Sequence, residues 1–248
     1  MGLIQEKEWY ADAALLSTED LKDLGKTLIV APHPDDESLG CGGTIYLLRQ
    51  LQIPVHVVFV SDGSMSHPNS KTYPSDKLVA LREMEAIEAL KILDVNSKAI
   101  SFLRLKDSKL PTCQMPGFED AVKLVSDVIK KFETETIFVP WQRDPHPDHR
   151  ATWQIVDQAV KESQKPVRSL EYFIWLWERA GSSDLPKHGE CNVLKVNIQT
   201  AKDHKMKAIA AHISQTTDLI NDDPDGFTLS PEVLAHFDKT FEIFVEKP

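Results

Sequence analysis

The chain has 248 residues, 42% of them apolar, and a formal net charge of −10. That length and apolar content can bury one sizeable core, so a single α/β domain over residues 1–248 is expected. The acidity disfavours a nucleic-acid partner, since binding a phosphate backbone draws on Lys and Arg, and no apolar run approaches the roughly 20 residues of a membrane span.

In chain order, residues up to about Lys26 form a polar, partly helical lead-in. The N-terminal MGLIQEKEWY has no basic region followed by an apolar stretch, and Glu6 stands where a myristoylation signal has Ser or Thr; no secretion or lipid signal is expected. KTLIVAP is a β-rich run of the kind found inside a parallel sheet. The charged HPDDES follows, then LGCGGTIYLLRQLQ at helical spacing, then a second apolar run, VHVVFVSDG, which completes a βαβ unit. SDKLVALREMEAIEALKIL predicts a helix with Leu78, Leu81, Met84, Ile87, Leu90 and Ile92 on its apolar face and Ser75 or Asp76 as its cap. AISFLRL, FEDAVKLVSDVIKKF, ETIFVPW and HRATWQIVDQAVKES continue the alternation of strand and helix. SLEYFIWLWE and CNVLKVNI leave no room for a full helix between them and predict a strand pair with an antiparallel edge. AKDHKMKAIAAHISQ and SPEVLAHFDKT are helical in pattern, and FEIFVE alternates like a final strand. The fold expected is a Rossmann-like three-layer α/β sandwich with a mostly parallel sheet.

Two loops carry the chemistry. In APHPDDESLGCGG, His33, Asp35, Asp36 and Glu37 crowd the carboxyl end of a predicted central strand, where open α/β sheets place their ligands. Three successive acids repel one another, and a divalent cation would offset that cost. The plain alternative is a solvent-exposed turn that starts a helix. More than a hundred residues later WQRDPHPDHR follows another predicted strand and opens another helix, offering His146, Asp148 and His149. One imidazole can ligate a metal while the other faces substrate, and a carboxylate can orient a ring nitrogen. Each loop alone could be a polar loop; two at the strand ends of one sheet point to a site. Nitrogen and oxygen ligands with an open position describe catalytic zinc rather than a closed, cysteine-rich structural site.

HPDDE, GCGG and HPDH together resemble the family of metal-dependent N-acetylglucosaminyl deacetylases that includes the PIG-L and LmbE-like proteins, over both loops and most of the chain. The resemblance implies His33, Asp36 and His149 as zinc ligands, with another divalent transition metal also admissible. It implies Asp35 as general base, His146 as stabiliser of the tetrahedral intermediate, and Asp148 as the residue that tunes His146. It further implies sugar contacts for Arg82 and Asp107. Their plain alternatives are a surface pairing of Arg82 with Glu83 or Glu85 and a turn cap at Asp107. Zinc physics gives a mechanism in which Asp35 deprotonates a metal-activated water as it attacks the acetyl carbonyl. A protonated His146 would share the oxyanion, and either Asp35 or His146 would protonate the amine.

The expected substrate is a small N-acetylated sugar or glycoside. Hydrolysis of another amide, such as a sugar–cysteine conjugate, and a catalytically silent binding module are the alternatives. GCGG does not fit a dinucleotide fingerprint, because the acidic loop intervenes between strand and glycines; Gly40, Gly42 and Gly43 are expected to let the first helix pack closely. His212 and Gln215 in KAIAAHISQ match a late feature of the family, but a lone His on an amphipathic helix is expected to be packed. Trp141 could offer a sugar-stacking face, whereas Trp175 and Trp177 alternate in a predicted strand and suit a core or interface. His56, His67, His188, His204 and His236 have no partner pattern. Cys41, Cys113 and Cys191 are odd in number and lack a CxxC pair, which suits a reducing cytoplasm. A homo-oligomer is left open.

Overall fold

The computed structural model describes residues 9–11, 13, 15–187 and 189–248. The segment read for signals before Trp9, and His188, lie outside the described residues.

The strands are β1 (Leu15–Leu16), β2 (Thr27–Ala31), β3 (Val55–Ser61), β4 (Ile100–Leu105), β5 (Thr136–Pro140), β6 (Arg168–Tyr172), β7 (Asn192–Asn197) and β8 (Phe241–Glu246). The helices are α1 (Asp36–Gln50), α2 (Ser75–Ile92), α3 (Phe118–Phe132), α4 (Pro147–Lys161), α5 (Leu176–Arg179), α6 (Lys202–Ala211), α7 (Ile213–Thr216) and α8 (Pro231–Ala235). One eight-stranded sheet runs in the order β1-β7-β8-β6-β5-β2-β3-β4. It is parallel except where β8 pairs antiparallel with both β6 and β7.

Alternation along the strands sorts the core into two layers. Ile29, Ala31, Val57, Phe59 and Phe138 face α1, α2 and α6, while Leu28, Val30, Val58, Val60, Ile137 and Val139 face α3 and α4. Both faces of the central strands are thus covered, which is why these strands are almost continuously apolar. No helix among the described residues is long and apolar enough to cross a membrane.

Chain order reverses at β2: β3 and β4 lie to one side of it, β5 and β6 to the other. The loops leaving β2 and β5 therefore open onto one crevice at the carboxyl edge, the topological switch point of an open α/β sheet. Those loops carry HPDD and HPDH.

Several expectations are corrected. SLEYFIWLWE is not one strand, because β6 ends at Tyr172 and Leu176–Arg179 forms a short helix; β6 and β7 do not pair, because β8 lies between them. Trp175 and Trp177 consequently do not alternate on a sheet. The α2 helix buries Leu78, Arg82, Glu85, Ala86, Ala89 and Leu90, whereas Met84 is exposed, and its N-cap is Pro74 with no side-chain cap bond.

Close packing explains GCGG. A Cβ on Gly40 would collide with the Tyr172 ring, one on Gly42 would lie 3.1 Å from Lys205 Cγ, and one on Gly43 would lie 2.7 Å from Ile198 Cβ. Glu242 of β8 accepts hydrogen bonds from the backbone N–H groups of Gly43 and Thr44, and Lys205 Nζ lies 2.7 Å from the same carboxylate. The buried acid and the buried lysine thus satisfy each other beneath α1.

Candidate active site

The three successive acids do not share one environment. Asp35 is the N-cap of α1 at φ 140°, ψ −30°, a conformation non-glycine residues rarely adopt. Its carboxylate lies 3.3 Å from Arg82 Nη2. Arg82 is buried and also donates to the carbonyls of Pro34 at 2.7 Å and Gly63 at 3.0 Å. It is therefore not a surface residue paired with Glu83 or Glu85. Asp36 turns the other way. Its Oδ2 accepts from the His33 backbone N–H at 2.9 Å and lies 3.2 Å from His33 Nδ1 and 3.3 Å from His149 Nε2. Glu37 points away from the cavity; it accepts from the Asp35 N–H, from Ser38 Oγ and from His212 Nε2. The crowding that seemed to demand a cation is thus partly relieved by protein groups, one set for each acid.

His212 is fully buried at the break between α6 and α7 and packs against Glu37, in line with the packing role expected of it. The exposed-turn reading of PDDE fails. Asp36 and Glu37 do open a helix, but both are buried.

In the second loop His146 is the N-cap of α4 and Pro147 its first residue, which fixes the entry into the helix. His146 Nδ1 accepts from the Asp148 backbone N–H at 3.2 Å, so a neutral ring carries its proton on Nε2. Burial, reinforced by His149 and His33, lowers the His146 pKa to about 4. The Asp148 carboxylate faces His33 Nε2 at 3.3 Å and accepts from the Ser108 N–H at 2.8 Å. Asp107 also lies 3.3 Å from His33 Nε2 and accepts from the Met65 N–H. Rather than capping a turn on the surface, Asp107 is buried beside His33.

The far nitrogen of each of the two ligand-type histidines faces a carboxylate. Asp107 and Asp148 face His33 Nε2, and Asp144 Oδ1 lies 3.3 Å from His149 Nδ1. Burial opposes charge on His149, but Asp36 and Asp144 outweigh it and raise its pKa to about 9. Burial likewise opposes ionisation of Asp36, and the adjacent His149 and His33 outweigh it, leaving the carboxyl far below its usual range. Asp35 behaves oppositely: burial pushes it up to about 6 despite Arg82.

A cavity of about 240 Å³ opens over these groups, with His33, Asp35, Asp36, Arg82, Asp107 and His146 among its lining residues. Its remaining wall includes Met65, Ser66, Trp175, Arg179, Gln215 and Phe227. Trp141 is not in this wall; its ring is buried beside Phe173 and its Nε1 donates to the Asp184 carbonyl at 2.6 Å. Asp144 escaped the sequence reading although it lies two residues before His146. Trp175 falls within the segment predicted as a strand, and Arg179 lies just beyond it.

The fold and this crevice define an α/β protein whose polar site lies at the sheet's switch point. Residues 28–160 match the family model described as PIG-L: GlcNAc-PI de-N-acetylase, and the chain belongs to this family of deacetylases. It is 30% identical over 210 residues to the probable N-acetyl-alpha-D-glucosaminyl L-malate deacetylase 2 of Bacillus subtilis, covering 84% of this chain and 91% of that protein. It is 35% identical over 166 residues to the diacetylchitobiose deacetylase of Thermococcus kodakarensis, covering 63% and 59%. The N,N'-diacetylchitobiose deacetylase from Pyrococcus horikoshii, solved with its inhibitor MPG, superposes with a TM-score of 0.71 at 25% identity, covering 92% of this chain and 85% of that one. The zinc inhibited form of teicoplanin deacetylase Orf2 superposes with a TM-score of 0.62 at 25% identity, covering 90% and 98%.

Proposed function

We propose that the protein is a metal-dependent hydrolase that removes the N-acetyl group from an N-acetylglucosamine-type sugar or glycoside, with residues 1–248 acting as one domain. The observation that carries this reading is the convergence of His33 Nδ1 and His149 Nε2 on one oxygen of Asp36 while Asp35, one residue away, stays outside that cluster.

Asp36 with the two imidazoles suits a divalent ion, and His33 also brings three ligand atoms within 4.8 Å of one another with His146 and His149 or with Asp107 and Asp148. Tetrahedral bonds of about 2.0–2.2 Å place neighbouring ligand atoms about 3.3 Å apart, close to the 3.2 and 3.3 Å from Asp36 Oδ2 to the two imidazoles. Both ring nitrogens of His149 are buried and neither makes a well-directed hydrogen bond, so Nε2 is open to a cation. Carboxylates on the far nitrogens are the usual support of metal-binding histidines. His33, Asp36 and His149 would hold zinc or a similar ion, which when bound would supply Lewis acidity to the nucleophilic water and the acetyl carbonyl.

The chain's own residues do the rest. Asp35, oriented by Arg82, accepts the proton of the water as its oxygen bonds to the acetyl carbon. His146 donates its Nε2–H to the developing oxyanion. As the C–N bond breaks, Asp35 returns the proton to the amine, and acetate and the free amino sugar leave. Arg82 and Asp107 shape the sugar end of the cavity. The known relatives named above act on different N-acetylated glycosides, so the aglycone is set by the cavity wall rather than by this machinery. Free thiols at Cys41, Cys113 and Cys191 suit a cytoplasmic setting.

The test is release of primary amine from a panel of N-acetylated sugars and glycosides by chelator-stripped protein, with and without added zinc and other divalent ions. Metal-dependent release is expected. Asp35→Asn should lower kcat by about 10²–10⁴-fold while retaining metal by elemental analysis. Loss of metal in that variant would reject Asp35 as base. Turnover confined to another amide, such as a sugar–cysteine conjugate, would reject the deacetylase reading, as would bound metal with no turnover at all.

A further inference from the structure

One wall of the cavity has no part in the chemistry above. It is built after β6, where Ile174 and Trp175 lead into α5 and Arg179 ends it. The Arg179 guanidinium lies over Trp175, with Cζ 3.8 Å from the ring centroid. Trp175 is itself fixed: Phe227 meets it edge-on at 5.6 Å, and its backbone N–H donates to Asp144 Oδ2 at 3.1 Å. Stacking of this kind orders a guanidinium yet leaves its N–H edge available.

Among the described residues nothing takes up that edge: the exposed Arg179 side chain makes no hydrogen bond and no ion pair. Its neighbour Glu178 is engaged by His236 Nε2 at 3.0 Å. The other arginine lining the cavity, Arg82, is occupied by Asp35 and two carbonyls. Asp35, Asp36 and Asp107 thus share the cavity lining with Arg179, an exposed cation held over Trp175. A volume of about 240 Å³ is below the roughly 300–1,000 Å³ of pockets that enclose a drug-sized ligand. A cavity of this size suits about one sugar ring, so an aglycone would extend beyond it.

We propose that Arg179 is a specificity residue that receives an anionic group, a carboxylate or a phosphate, on the aglycone of the N-acetylated glycoside. This rests on the deacetylase reading for the direction in which the substrate lies. The planar fork matches either anion bidentately.

The experiment uses N-acetylglucosamine glycosides whose aglycones are of equal length and end in a carboxylate, a phosphate monoester or a neutral carboxamide. kcat/KM is measured for each with the wild type, Arg179→Gln and Arg179→Lys. The wild type should prefer an anionic aglycone over the carboxamide by about tenfold, the equivalent of one charge-assisted hydrogen bond. The two anionic arms identify which anion is read. Arg179→Gln should bring the ratio near one, and Arg179→Lys should keep part of it. Because each ratio is internal to one variant, a change in folded fraction cancels. A wild-type ratio near one, or an unchanged ratio in Arg179→Gln, overturns the proposal while the deacetylase reading stands. If no glycoside is hydrolysed, calorimetric binding of the same compounds decides. An anion preference that depends on Arg179 sustains the assignment although the reaction is wrong, and no preference rejects it.

Discussion

At Asp35 the backbone adopts a conformation that costs a non-glycine residue about 1–3 kcal/mol, and the neighbours that hold it there are Arg82 and Glu37. Removing Arg82 would leave the Asp35 carboxylate buried without its partner, a loss on the order of 3–5 kcal/mol for a buried pair. Arg82→Met should therefore lower the urea unfolding free energy by about 3 kcal/mol, and Asp35→Asn in the same chain should recover part of it. A cost below about 1 kcal/mol would mean that solvent already reaches Asp35. At this scale the sequence was most informative. His33, Asp35, Asp36, His146, Asp148 and His149 are all brought together, because two short loops concentrate them at strand ends. Asp144 was not legible as a partner of His149, since a contact across the start of a helix depends on backbone geometry that spacing alone does not reveal.

Among the elements, α1 shows how closely backbone must approach backbone to set the first loop in place. Gly43→Ala puts a Cβ within about 2.8 Å of three Ile198 side-chain atoms, so overpacking of about 1–3 kcal/mol is expected. Ile198→Val should relieve part of it, measured as recovery of Tm in the double variant; additive losses would show that the collision is not with Ile198. The α2 helix was legible in extent but not in orientation. Its apolar residues suggested one buried face, whereas the observed face includes Arg82 and Glu85 and leaves Met84 in solvent. Glu85 is buried because it accepts from the Ser214 N–H and Oγ, a partnership over 129 residues of chain that no local pattern announces. The strand predicted through Trp177 failed for a related reason. Trp175 is drawn out of the sheet by its contacts with Asp144, Phe227 and Arg179, and tertiary contacts override an alternating pattern.

For the molecule as a whole, pH stability should bear the mark of Glu171, buried on β6 away from the cavity. Burial raises its pKa from 4.5 to about 7, against the hydrogen bond from the Gln142 N–H. The native state then holds more protons than the unfolded chain between those values, so this group's contribution falls as pH rises from about 4.5 to about 7 and is intact below. Glu171→Gln should flatten that decline, with a gain of up to about 3 kcal/mol at pH 8 and little difference at pH 4. Equal pH profiles for the two proteins would show that Glu171 is hydrated. The parallel βα alternation was legible end to end because each unit is local in sequence; the insertion of β8 between β6 and β7 was not, since it joins segments far apart in the chain. That insertion governs the order of assembly during synthesis. Among the described residues β7 neighbours only β1 and β8, and β1 only β7. β1 therefore cannot join the sheet until β8 has been made, and in the interval β6 presents a bare edge for a chaperone or another nascent chain to claim.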